Sequence, residues 1–253
     1  MQPEALAYSI LVGMLKKTCL LFCLLPLVIK AQTLSPEHRA QVRAATVSVL
    51  VAGHPQPGSG FFISASGEVL TAWQVVEPAL RPDSAGGTFR LWPIEVMTGD
   101  GQKIAMTISP AFYRLHASDA IRYDYCVLSP VQPLQTPAVF FSLKKTGHLT
   151  EGMPVFATGR LEGNGPTPFI ASGFLDQRFT DSAVFVANDG TRQSIYREAF
   201  LLQLPMQASM TGGPVFQAGK SIREDLVIGL ANFSLSPYGH ALQKIRDQYG
   251  PAE

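Results

Sequence analysis

The sequence predicts an all-β protein, a barrel or a sandwich, and three observations carry that expectation. Short apolar runs of strand length recur along the chain, several of them alternate, and Gly, Pro or Asp-Gly punctuates them at intervals of roughly 8–12 residues. Two helices frame the strands. Ser35, Pro36 and Glu37 read as the N-cap, first position and acidic first turn of a helix reaching Arg43. Val47, Val49 and Val51 then alternate, and Gly58-Ser59-Gly60 opens a second run, Phe61 to Ser64. Ser66-Gly67 reads as a two-residue hairpin turn into Val69-Leu70-Thr71. Further strands are expected over Phe89 to Met97, Ile104 to Ile108, Tyr125 to Leu128 and Val155 to Thr158. Others follow over Phe169 to Leu175, Ala183 to Ala187, Phe200 to Leu204, Val215-Phe216 and Leu226 to Phe233. Pro82 to Gly87 and Glu162 to Pro168 read as surface loops. The second helix spans Gly239 to Tyr249, where Leu242, Ile245 and Tyr249 share a face and Gly250-Pro251 ends it.

Composition narrows the function classes. With 253 residues, 46% of them apolar, the chain can bury a full core, and it is too short for that domain plus a typical second one. A net charge of +1 with no basic run offers nothing to a nucleic acid. Lys16-Lys17, the uncharged run Thr18 to Ile29 and then Lys30-Ala31-Gln32 form the pattern of a secretory leader, residues 1–31. That run is shorter than the roughly 20 residues a membrane span needs, and Pro26 interrupts it. Translation from Met1 and from Met14 both remain open. Cys19 and Cys23 fall in the leader, so Cys126 is alone in the mature chain 32–253 and no internal disulfide is expected. Export without disulfides fits a bacterial periplasmic or secreted protein that leaves the membrane once its leader is removed.

Three stretches carry chemistry. Leu70-Thr71-Ala72-Trp73-Gln74-Val75-Val76 is similar to the L-T-x-x-H-V-V strand end of serine proteases, with Gln74 in the histidine's place. Tyr123-Asp124-Tyr125-Cys126-Val127-Leu128 is similar to D-x-A-x-L, with the aspartate intact. Ser209-Met210-Thr211-Gly212-Gly213-Pro214-Val215 is similar to G-N-S-G-G-P-L, with Thr211 for serine. With Gly58-Ser59-Gly60-Phe61 upstream, Glu151 to Val155 and Ala171-Ser172-Gly173 between, and Val227-Ile228-Gly229-Leu230 downstream, the order resembles the trypsin-like fold, in particular the HtrA (Deg) branch of bacterial envelope proteases. The resemblance covers about Ala45 to Tyr249. It implies a double β-barrel of two six-stranded barrels, divided near residues 135–150, with a C-terminal helix and no PDZ domain after it.

On that resemblance, Gln74, Asp124 and Thr211 are the positions of a degenerate triad. A triad needs an imidazole that accepts and returns a proton, and the amide of Gln74 does neither. Gln74 can still bond to Asp124 and Thr211 together. Thr211 has two readings, a hindered nucleophile or a turn residue that bonds locally. Ser209 replaces the glycine whose amide helps bind an oxyanion, and Ser209, Met210 and Gly212 make that turn. His116, in the loop before Asp124, is the best-placed substitute base. Cys126 lies on an apolar strand and reads as a buried, inert thiol. No metal-ligand spacing occurs, and neither metal nor cofactor is expected. The resemblance puts Pro205, between Leu204 and Met206, at the floor of the primary specificity pocket, which then favours apolar side chains. Asn232, Phe233 and Ser234 take the place of the strand edge that pairs with a bound peptide. Three functions remain open: an inactive homologue binding an extended peptide or protein partner in the cleft, a weak endopeptidase using Thr211, or a structural envelope domain with a closed cleft. The leader has a direct test. Amino-terminal sequencing of the exported protein is expected to begin at Gln32; an intact leader recovered from membranes would contradict it.

Overall fold

The computed structural model describes residues 33–82, 89–112, 124–145, 147–161, 165, 167–186 and 192–232. The leader, His116, Phe233, Ser234, His240 and the helix expected over Gly239 to Tyr249 lie outside the described residues. Helix α1 spans Pro36–Ala45. Ser35 caps it, its hydroxyl accepting the His38 amide at 3.1 Å, which satisfies one of the amides that a helix start leaves unpaired. The helix ends without a linker: Thr46 turns extended, and its hydroxyl donates to the Val42 carbonyl at 2.8 Å.

Six strands then close a barrel in the order β1-β2-β3-β8-β7-β6. They are β1 Thr46–Val51, β2 Gly58–Phe62, β3 Val69–Thr71, β6 Ile94–Met97, β7 Lys103–Ile108 and β8 Cys126–Pro130. The intervening β4 Leu80–Pro82 and β5 Phe89–Leu91 form a separate two-stranded ribbon. Alternation decides which side chains fill the barrel: Val47, Val49 and Val51 of β1 pack inside with Val69, Val96 and Leu128. The single strand expected over Phe89 to Met97 is two, because the chain breaks at Trp92-Pro93, where proline has no amide to give a ladder. The β2–β3 hairpin loop is four residues rather than two: the Ile63 amide donates to the Glu68 carbonyl at 2.8 Å, and Gly67 takes φ +91° within the loop.

The second half is a curled sheet, five strands among the described residues, in the order β11-β10-β9-β12-β13. Its strands are β9 Pro154–Gly159, β10 Phe169–Val186, β11 Arg192–Gln203, β12 Pro214–Gln217 and β13 Leu226–Leu230. The two strands expected over Phe169 to Leu175 and Ala183 to Ala187 are one continuous β10, carried through by its long pairing with β11 and a register shift between Leu175 and Arg178. The all-β class is as expected and consistent with the double barrel: of the two six-stranded barrels expected, the first is closed, and the second is a curled half-barrel of five strands among the described residues.

Between the halves lies a seam of aromatic rings. Phe61 faces it while Phe62, its neighbour on β2, faces the first barrel. Phe61 meets Phe141 edge-on at 5.5 Å, Phe141 lies 5.2 Å from Phe216, and Phe216 stacks on Phe156 at 5.7 Å. Val42 and Ala45 of α1 pack into the same cluster, so the helix bridges both halves. Its second tie is polar: His38 Nε2 lies 2.9 Å from Asp225 Oδ2, both side chains buried, and the Gly219 amide donates to Asp225 Oδ1 at 2.7 Å. Burial pushes the Asp225 carboxyl above its ordinary range, against the lowering effect of Gly219, His38 and Lys144. A carboxyl raised on folding stabilises the fold while protonated and loses that contribution as pH rises through its raised value. Removing one partner of a buried pair leaves an uncompensated charge and costs about 3–5 kcal/mol. His38→Ala is therefore expected to lower stability by about that much at neutral pH in urea unfolding. The deficit should shrink as the pH is lowered through the raised Asp225 value, because the protonated carboxyl no longer needs the imidazole. A pH-independent deficit would contradict this.

Candidate functional site

Gln74 enters the site on a short helix, α2 Trp73–Val76, not on the expected strand end. Ala72 precedes it in extended conformation at the close of β3, so the chain turns from strand to helix at the barrel mouth. The Gln74 amide lies in the first turn, where it has no partner within the helix, and it donates to Asp124 Oδ1 at 3.0 Å. Asp124 stands just ahead of β8 with φ +53°, the single non-glycine residue with positive φ among the described residues. Aspartate tolerates that region better than most residues do, and strained backbone of this kind concentrates at functional sites.

The side chains close a ring. Gln74 Nε2 donates to Asp124 Oδ2 at 2.9 Å and to Asn232 Oδ1 at 2.9 Å, while Asn232 Nδ2 donates to Asp124 Oδ2 at 2.8 Å. Both amide hydrogens of Gln74 are thus committed, and Asp124 accepts from the Gln74 amide, the Gln74 side chain and the Asn232 side chain. Asn232, read from sequence as part of a peptide-pairing edge, sends its side chain into this ring.

The Ser209–Gly213 turn approaches from the other half. Ala208–Met210 form one 3-10 turn, in which the Thr211 amide donates to the Ala208 carbonyl at 3.0 Å and the Met210 amide to Gln207 at 2.9 Å. Met210 is buried in the core of the second sheet, and Thr211 is only 7% exposed. Gly212 has φ +87°, and a Cβ on it would fall 2.3 Å from the Ser59 carbonyl oxygen and 2.5 Å from Thr71 Oγ1, so only glycine lets the turn sit flush on β2 and β3. The Gly212 amide reaches the Ala231 carbonyl at 2.8 Å. Thr211 is thereby held between the chain that leads into Gln74 and the chain that leads into Asn232.

Other residues singled out from sequence lie apart. Pro205 follows β11 on the surface, with Leu204 and Met206 half-buried against the second-sheet core. Cys126 is buried, and burial pushes its thiol up to about 12, which keeps it from acting as a thiolate nucleophile. Among the described histidines, His38 bonds Asp225, His54 Nδ1 lies 3.0 Å from the Gln56 carbonyl, and His148 is exposed. No group of His, Cys, Asp and Glu among the described residues is placed to hold a metal. A cavity of about 660 Å³ lies between α1, the β6–β7 turn and the linker, lined by Arg43, Phe62, Ile104, Leu134, Pro137 and Pro168 among others; none of Gln74, Asp124, Thr211 and Asn232 lines it.

What the ring does chemically can be probed with an isosteric change. Gln74→Glu exchanges two donors for acceptors beside the Asp124 carboxylate, leaving two acidic groups at one place. A loss of about 1–3 kcal/mol is expected at neutral pH. It should be recovered on acidification, since like charges in contact hold one carboxyl protonated above its usual range. Equal stability of variant and native protein across pH 4–8 in urea unfolding would show that the ring contributes nothing.

Comparison with known proteins agrees with this geometry. The model of the trypsin-like peptidase domain matches residues 58–223, well over half of the chain. No curated protein resembles the chain closely enough to count as a relative. Among solved structures, the Rv3671c protease from M. tuberculosis matches in its active form with 16% identity and a TM-score of 0.51, covering 82% of this chain and 75% of that one. Its inactive form matches with 16% identity and a TM-score of 0.52, covering 82% and 83%. Deg5 matches with 16% identity and a TM-score of 0.49, covering 86% of this chain and 98% of that one. At 16% identity the solved structures speak for the fold alone, and it is the matched family model that places this chain in the trypsin-like peptidase domain family.

Proposed function

We propose that this chain is an exported, catalytically inactive member of its family, of the HtrA type, that binds an extended peptide or protein segment in the cleft between its halves. One observation carries the reading: where a proton-accepting base would stand, Gln74 is fixed as a double donor to Asp124 and Asn232. An amide so bound takes no proton from a hydroxyl and carries no transient charge, and loss of triad members leaves only about 10³–10⁴-fold catalysis over water. Thr211 supports the same conclusion, for it is buried and its amide is already bonded within its own turn. Retention of the fold with the base replaced is what a binding cleft needs and an enzyme does not. The apolar Leu204 and Met206 beside Pro205 favour apolar side chains in the bound segment.

The test pairs turnover with binding. The purified mature chain should leave an unstructured casein intact, and Thr211→Ala should bind extended apolar peptides, measured by fluorescence anisotropy, within about threefold of the native affinity, since the hydroxyl has no base to activate it. Turnover that Thr211→Ala abolishes would establish the endopeptidase reading instead.

A further inference from the structure

The nucleophile turn is held by hydrogen bonds that its sequence alone does not display. Ser59 of β2 is fully buried and grips the turn twice: its amide donates to the Thr211 carbonyl at 2.8 Å, and its hydroxyl donates to the Ser209 carbonyl at 2.7 Å. The Ser59 hydroxyl in turn accepts the Arg160 amide at 2.8 Å. Ser209 completes the set from its own side chain, donating its hydroxyl to the Arg160 carbonyl at 2.8 Å. Ser209 is 3% exposed, so these bonds are made away from water, where breaking one leaves a buried polar group unsatisfied.

The consequence falls on Thr211. Carbonyl chemistry at this turn needs the amide of the nucleophile residue aimed outward at the developing oxyanion. Here that amide points inward, to Ala208. Freeing it requires rotation of the Ala208–Ser209 peptide, which carries the accepting carbonyl and the Ser209 amide, and a glycine at 209 permits that rotation. Serine opposes it twice: its Cβ disfavours positive φ, and its hydroxyl is anchored to Arg160.

We propose that Ser209 is a latch that keeps this turn closed, a block on carbonyl chemistry separate from the loss of the histidine. The inference rests on reading the turn as the degenerate nucleophile turn of the proposed function. Ser209 acts here as a positioning residue, through the Thr211 amide rather than on any substrate.

Hydrogen exchange at the Thr211 amide, followed by nitrogen-15 NMR on the mature chain, reads the latch without requiring any activity. Ser209→Ala removes the hydroxyl and keeps the Cβ; Ser209→Gly removes both. Exchange at Thr211 is expected to accelerate roughly 3- to 10-fold in the alanine variant, and further in the glycine variant, as one neutral hydrogen bond is lost. Amides of Phe61 and Phe156, in the adjoining strands, should be unchanged, which separates a local latch from general loosening. Unchanged protection of Thr211 in both folded variants, or equal acceleration at all three amides, overturns the latch. A second measurement uses Gln74→His with Thr211→Ser, which returns a base and an unhindered hydroxyl, and labelling by a peptidyl phosphonate with an apolar side chain. Adding Ser209→Gly should raise its labelling rate by about 10²–10³, the effect of regaining one oxyanion donor. Faster exchange at Thr211 with no labelling in any background shows that Ser209 holds the turn closed but overturns its role as a block on carbonyl chemistry, together with the reading of the site as a degenerate peptidase. Labelling equally fast with Ser209 and with glycine overturns the latch and leaves that reading standing.

Discussion

Much of this structure depends on how closely two backbones approach where the halves meet. The Ser209–Gly213 turn lies close against β2: a Cβ on Gly212 would strike the Ser59 carbonyl, and one on Gly159 of β9 would fall 2.7 Å from the Ser59 hydroxyl and 2.8 Å from the Met210 Cα. Contact this tight excludes water and makes each hydrogen bond across it consequential, since none has solvent as a substitute. The aromatic seam of Phe61, Phe141, Phe156 and Phe216 supplies the apolar burial that holds the halves at that distance, each ring contributing on the order of 1.5–3 kcal/mol. Ser59 supplies the directional part. It is small enough to fit and has a donor and acceptors enough to serve both sides.

The ring at the barrel mouth ties together three segments far apart in the chain, at Gln74, Asp124 and Asn232. The Asp124 carboxylate accepts from the side chains of Gln74 and Asn232 and from the first turn of α2. None of these donors titrates near neutral pH.

Much of the fold is readable in sequence because alternation is: Val47, Val49 and Val51 declare one face, and Phe61 and Phe62 the two faces of β2. Punctuation misleads in both directions. The stretch left between the strands expected to end at Leu175 and begin at Ala183 is carried through by pairing with β11, whereas Pro93, lodged inside an apolar run, does break the strand. At the site, motif order brings Gln74, Asp124 and Thr211 to notice, since each sits in a recognisable local pattern. The side-chain role of Asn232 and the hydroxyl-to-carbonyl bond from Ser209 to Arg160 have no such pattern. They follow from packing between segments far apart in the chain, which local periodicity does not encode.

That separation also orders events in time. Ser59 and Ser209 are 150 residues apart, and Ser59 and Arg160 are 101 apart. Closing such loops is entropically unfavourable until intervening strands are paired, so contacts of this range form late. The first barrel can assemble from contacts within its own strands, whereas the bonds from Ser59 to the turn require the second half to lie against β2. The site is in this sense a certificate of finished folding. A chain interrupted after β11 keeps every residue of the Gln74–Asp124 contact and has no turn to set against it.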